Sequence, residues 1–165
     1  PGELPELWGC VLQGMPESFQ GRSAPSAAEW AGYLALTLYA VHQQGNDRPM
    51  NCPGNTLGRA VRQLAERISA GQDWTEASVL RRVNALATAE EITESSHHLR
   101  GMIRLLSAAK DGGSPRDYPQ LAADLYELQC TDPLYAQIPA NVRLRWGQDL
   151  YRAPKPAPEE KEKET

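Results

Sequence analysis

Apolar residues recur at helical spacing in one segment after another along this chain, and Gly or Pro falls between the segments. In residues 26–44, Leu34 and Leu38 lie one helical turn apart, and Ser26 followed by Glu29 has the pattern of a capping box. A half-buried β-strand would instead alternate apolar and polar residues. The spacing therefore predicts helices and argues against a sheet as the main element.

The amino-acid composition agrees with an all-α fold. Alanine and leucine supply 40 residues, whereas valine and isoleucine, which strands collect, supply only 10. We predict a helical bundle of two small lobes, residues 1–70 and 71–153, followed by a disordered, acidic and Pro-rich tail over 154–165. The predicted helices cover residues 6–13, 26–44, 56–70, 75–89, 90–110, 118–129 and 141–152.

Other classes of protein are disfavoured. The longest apolar run holds 12 residues, at 30–41, whereas a bilayer-spanning helix needs roughly 20. No signal segment opens the chain, and because it begins at Pro1 we expect some native N-terminus to precede it. The three cysteines are far apart in sequence, so we expect buried free thiols and a cytoplasmic protein.

No known catalytic or metal-binding motif is present. His97 and His98 are adjacent, so their side chains diverge by about 100° on a helix and do not suit one metal ion. His42 is expected to make a structural hydrogen bond. The glycine-rich segment 54–59 is either a weak phosphate-binding loop or an ordinary helix-capping loop. We expect no catalytic residue, metal, cofactor or small-molecule substrate.

Charge is distributed unevenly along the chain. The net charge is −4 and the isoelectric point is near 5.4, but residues 48–110 carry nine bases against six acids. Before the tail, 13 of the 14 basic residues are Arg, whose planar guanidinium suits two-point contact with a phosphate. Nucleic-acid binding therefore remains possible despite the acidic average.

The arginines fall opposite the apolar faces of their helices. The predicted apolar face of one helix consists of Leu57, Val61, Leu64 and Ile68. Arg59 and Arg62 lie on the other side of this helix. Arg100 and Arg104 face outward on a helix whose inward residues are Ile92, Leu99, Met102, Ile103 and Leu106. Two interpretations are equally supported by this spacing: a groove that follows a phosphate backbone, or a solvated face paired with nearby carboxylates.

Short segments in a shared order resemble one known family. Three of these segments resemble the core of the CasB family, the small subunits of type I-E CRISPR Cascade complexes. They are Leu57-Gly58-Arg59-Ala60, Arg81-Arg82-Val83-Asn84-Ala85-Leu86 and His98-Leu99-Arg100. The resemblance extends from Pro5-Glu6-Leu7-Trp8 to Arg145-Trp146-Gly147-Gln148-Asp149-Leu150-Tyr151. Members of this family usually have a basic Arg-Arg segment before the Pro-Glu-Leu-Trp segment, and this sequence does not contain it.

This resemblance implies a non-catalytic subunit of an RNA-guided antiviral complex. Two copies would pack together, contact the large and backbone subunits, and stabilise guide RNA–target DNA pairing and the opened R-loop through backbone contacts. The arginines implicated are Arg59, Arg62, Arg81, Arg82, Arg100, Arg104, Arg143 and Arg145. The alternative is a helical adaptor that binds only protein, in which these arginines serve solubility.

Overall fold

The computed structural model describes residues 5–89, 91–109 and 114–152. Within these ranges the chain is all-α and contains no β-strand; one isolated bridge joins Asn51 to Arg116. The predicted tail, residues 154–165, lies outside the described residues. The described residues form seven α-helices: α1 (Pro5–Leu12), α2 (Ala27–Gln43), α3 (Leu57–Ser69), α4 (Val79–Thr88), α5 (Ile92–Ser107), α6 (Tyr118–Leu128) and α7 (Gln137–Tyr151).

Helix α2 begins at the predicted capping box. The Ser26 hydroxyl accepts a hydrogen bond from the Glu29 amide at 3.1 Å, and the Glu29 carboxylate accepts one from the Ser26 amide at 2.6 Å. These bonds satisfy amides that have no partner within the helix. Leu34 and Leu38 are buried on the side of α2 that packs between α5 and α6.

Helices α3 and α7 pack closely where the first half of α3 meets the end of α7. Gly58 makes this approach possible, because a Cβ atom there would overlap the Trp146 carbonyl oxygen and lie 2.8 Å from the Leu150 amide nitrogen. Both helices contribute to one buried apolar cluster that also includes residues of α2, α4, α5 and α6. The division into two lobes near residue 71 stays a prediction.

The predicted helix at residues 75–89 is interrupted. A 3-10 turn at Trp74–Glu76 precedes α4, and the Asp73 carboxylate stabilises it by accepting a hydrogen bond from the Thr75 amide at 2.9 Å. Hydrogen bonds from the Thr75 hydroxyl and amide hold the pKa of Asp73 below its usual value. Helix α5 occupies the predicted segment from Ile92 onward, while the predicted ends at residues 90 and 110 lie outside the described residues.

Three other sequence predictions were wrong in detail. Helix α7 begins at Gln137, not at residue 141, because Pro139 falls in the first turn, where a missing amide removes no helical hydrogen bond. Ile68 was assigned to the apolar face but is 51% exposed near the end of α3. The cysteines are free, as expected, but are not buried: Cys10 is exposed, and Cys52 and Cys130 are partly exposed.

Candidate nucleic-acid interface

Four of the eight predicted arginines are exposed on two helices that pack against each other. Arg81 and Arg82 lie on α4, Arg100 and Arg104 lie on α5, and α4 packs against α5. Within the described ranges, no carboxylate lies within ion-pair distance of any of the four. We call this set the α4–α5 arginine surface. Because no carboxylate of the described residues pairs with these arginines, the surface attracts anions more strongly than a paired surface would.

Arg82 reaches from α4 onto α5. A Cβ atom built at Gly101 would lie 2.8 Å from Arg82 Nη1 and 3.7 Å from its Cζ, so the guanidinium rests against the backbone of α5. Arg104 follows Gly101 by three residues and is its neighbour on the helix surface. The structure thus places the end of the Arg82 side chain against α5 at Gly101, one helical turn before Arg104.

Arg59 and Arg62 on α3 have partners within the chain. Arg59 donates to the Gly54 carbonyl at 3.0 Å, and its Nε lies 3.6 Å from the Asp149 carboxylate, although 57% of the side chain remains exposed. Arg62 pairs with Glu66 at 2.7 Å, donates to the Arg152 carbonyl at 2.6 Å and stacks over the Trp74 ring. The ion pair between Arg62 and Glu66 agrees with the interpretation in which the arginines pair with nearby carboxylates.

Arg143 and Arg145 on α7 also bind groups of the chain itself. Arg143 donates to the Ala89 carbonyl at 2.9 Å, which joins α7 to the end of α4. Arg145 pairs with Glu127 at 2.6 Å and with buried Asp124 at 2.9 Å. These hydrogen bonds raise the pKa of the Arg145 guanidinium above its usual value. Both arginines therefore connect helices, whatever else they bind.

The glycine-rich segment before α3 has polar groups that contact carboxylates of the chain, while Thr56, the residue before the first turn of α3, makes no side-chain capping hydrogen bond. The Gly54 amide donates to Asp117 at 2.7 Å, and the Thr56 hydroxyl donates to Asp149 at 2.8 Å. A phosphate would have to compete with these carboxylates. These contacts disfavour a phosphate-binding loop at residues 54–59, but Thr56 does not provide the side-chain cap of the other interpretation.

The arrangement carries no feature of a metal site or a membrane span in the described parts of the chain. Residues 5–89, 91–109 and 114–152 contain no group of three His, Cys, Asp or Glu side chains placed to hold a metal ion. None of their helices is both long enough and apolar enough to cross a bilayer.

Comparison with known proteins identifies the family. The sequence profile of CRISPR-associated protein Cse2 matches residues 1–151. The chain belongs to the Cse2 family. Two crystal structures are similar to it, each with a TM-score of 0.63 and 25% identity: CasB from Thermobifida fusca and a Cse2-family CRISPR-associated protein from Thermus thermophilus. The matches cover 89% and 93% of this chain and 84% and 78% of the respective structures. No curated protein matches the sequence. The resemblance inferred from short motifs is confirmed.

This Cse2-family chain also contains a buried arginine that the sequence analysis did not single out. Arg116 is 1% exposed and lies over the Tyr118 ring, and among the described residues its Nε and Nη1 atoms have no hydrogen-bond partner. Its backbone joins the loop before α3, because it donates to Met50 and accepts from Cys52. Burial lowers the pKa of Arg116 to about 10. In the sequence, Arg116 is marked only by its position before Asp117, in a part of the chain where acidic residues outnumber basic ones.

His42 is the structural residue that its position on the predicted helix indicated. It is fully buried, and its Nδ1 lies 2.9 Å from the Tyr118 hydroxyl. Burial, together with the positive charge of nearby Arg116, lowers the pKa of His42 to about 4. Burial raises the pKa of Tyr118. The neutral ring of His42 thus joins α2 to α6 in the Cse2 core.

Proposed function

We propose that this Cse2-family chain is a non-catalytic, cytoplasmic small subunit of a CRISPR RNA-guided surveillance complex. In this proposal the α4–α5 arginine surface binds phosphates of the guide RNA or target DNA without reading bases. The bound phosphates help to hold the guide–target duplex and the opened R-loop. No cofactor or small-molecule substrate takes part.

The observation that supports this function best is the absence of carboxylate partners, among the described residues, around four arginines on adjacent helices. An arginine that served only solubility or helix stability would gain from an ion pair along its own helix. The arginines of α3 and α7 have carboxylate partners, at Glu66 and Glu127 for example. The difference favours an external anion as the partner of the α4–α5 surface.

Backbone contacts of this kind suit R-loop formation. Replacing a DNA duplex by a guide–target heteroduplex is nearly balanced in free energy, so that a few phosphate contacts can favour the open state. Arginines on helix surfaces position a nucleic acid without selecting its sequence. Arg59, Arg62, Arg143 and Arg145 are weaker candidates in this proposal, because their donors are partly occupied within the chain.

The other proposed partners are the large and backbone subunits and a second copy of the chain. Exposed apolar side chains are available for such protein contacts. Three of the most exposed lie just before and on α7: Leu134 (81%), Leu144 (57%) and Tyr135 (52%).

The test is binding of a labelled, unstructured DNA strand to the isolated chain over a range of salt concentrations. If the four arginines of the surface each contact one phosphate, log K should fall with log salt at a slope near −3, at about 0.7 per contact. Arg100→Ala with Arg104→Ala should reduce the slope to roughly half. The matched control is Arg22→Ala with Arg67→Ala, which removes the same charge from exposed arginines on other segments.

Two outcomes contradict the proposal. Salt-independent binding, or no binding at low salt, would favour the adaptor that binds only protein. An equal loss of slope in the control pair would show that net charge, and not the α4–α5 arginine surface, determines the binding.

A further inference from the structure

We propose that Gly101 is a positioning residue that lets Arg82 lie across α5 and join Arg104 in one phosphate-binding surface. This inference rests on the proposed function. It adds a specific reason for a glycine in the middle of a helix, and it makes the geometry of the surface depend on a residue that bears no charge.

Gly101 lies in the interior of α5, which runs from Ile92 to Ser107. Apart from proline, glycine is the residue least suited to a helix interior, because it has the most backbone freedom to lose. Its backbone here is ordinary, without the positive φ that would require glycine. The need for glycine must therefore come from the space around it.

That space is occupied by the Arg82 guanidinium. A Cβ atom at Gly101 would lie 2.8 Å from Arg82 Nη1, closer than real Cβ contacts, and 3.7 Å from Cζ. The nearby atom is the end of a flexible side chain, not backbone. A methyl group at Gly101 would therefore displace Arg82 and leave the packing of α4 against α5 intact.

The position of Arg82 is held by shape alone. Within the described ranges its guanidinium has no ion pair or hydrogen bond, so only the groove left by Gly101 keeps it over α5. In this proposal it joins Arg104, which follows Gly101 by one helical turn, and Arg100, which precedes Arg104 by four residues on the same helix. A guanidinium in this position adds its charge to those of α5, where one phosphate backbone can contact both helices.

The experiment compares Gly101→Ala, Arg82→Ala and the double variant with wild type in the strand-binding titration. We expect Arg82→Ala to weaken binding roughly three- to tenfold and to reduce the salt slope by about 0.7. Gly101→Ala should reproduce at least half of both effects on a logarithmic scale. The double variant should bind like Arg82→Ala, because the two changes act through the same contact.

Gly147→Ala is the matched control. Gly147 also lies inside a helix, α7, but a Cβ atom there would have no neighbour within 4 Å. Both Gly→Ala variants should raise the melting temperature by about 2–4 °C through helix propensity, but only Gly101→Ala should weaken binding. Such a variant, more stable yet weaker in binding, is not what a merely structural role would produce.

The outcomes separate this inference from the proposed function. If Arg82→Ala weakens binding and Gly101→Ala does not, Gly101 has no positioning role and the arginine surface stands. The positioning role is also wrong if Gly101→Ala lowers the melting temperature, or if the double variant binds more weakly than Arg82→Ala. If wild type does not bind the strand at all, the proposed function fails and this inference fails with it.

Discussion

Replacing Gly58 by Ala should separate the two helices that meet there. Gly58 lies in the first turn of α3, directly against the last turns of α7. The added methyl would overlap the Trp146 carbonyl oxygen and lie 2.8 Å from the Leu150 nitrogen and 2.9 Å from Asp149 Cβ. Two of these three atoms belong to the backbone, so no side-chain rotation can relieve the overlap.

The expected cost follows from two opposing contributions. Overpacking a buried contact usually costs about 1–3 kcal/mol, and rigid backbone neighbours place Gly58 toward the upper end. The gain in helix propensity from Gly to Ala is about 1 kcal/mol at most, and less in a first turn. We therefore expect a net loss of about 2 kcal/mol in the free energy of unfolding. For a chain of this size that corresponds to a fall of roughly 4–8 °C in Tm.

Thermal and urea unfolding followed by circular dichroism would measure this change. Gly147→Ala, on α7 with open space around it, supplies the control and should be as stable as wild type or more so. A Gly58→Ala variant with wild-type stability would refute the reasoning, because it would mean that α3 and α7 move apart at little cost.

Two further predictions concern pH and the assembled complex. Because the pKa of His42 is about 4 in the folded chain and near 6.5 when unfolded, stability should fall as the pH drops below 6.5. Between pH 7 and pH 5 wild type should lose about 1–2 kcal/mol more than His42→Gln in urea unfolding; parallel losses would contradict this. In a reconstituted complex, Arg100→Ala with Arg104→Ala should impair target opening more on relaxed than on supercoiled DNA, with a melting curve near that of the wild-type chain. Normal opening of relaxed DNA would show that these arginines are only solvated.

Local patterns in the sequence were sufficient to predict most of the fold. The capping box at Ser26 and Glu29 depends on residues three apart, and the structure forms it as predicted. A predicted helix boundary was wrong where a nearby side chain stabilises a different local structure. The Asp73 carboxylate, for example, stabilises a 3-10 turn before α4. Ile68 fits the helical period, but it remains half exposed at the end of α3.

The partners of the arginines could not be predicted in the same way. Arg62 donates to a carbonyl 90 residues away, and Arg145 pairs with Asp124 across 21 residues. Spacing on one helix indicates which side chains face outward but not what another helix places beside them. For the same reason Gly58 and Gly101 look alike in the sequence, although one faces backbone and the other an arginine.

The burial of Arg116 determines how the segment around Met50 and Cys52 should open. Releasing this segment breaks the backbone bonds of Arg116 to both residues, but it also returns to water the Nε and Nη1 atoms, which have no hydrogen-bond partner among the described residues, so that their hydration is regained. The free energy of local opening is therefore smaller than that of unfolding the whole core. In hydrogen exchange, the amides of Cys52 and Arg116 should exchange through this local opening, well before those of the buried turns of α5.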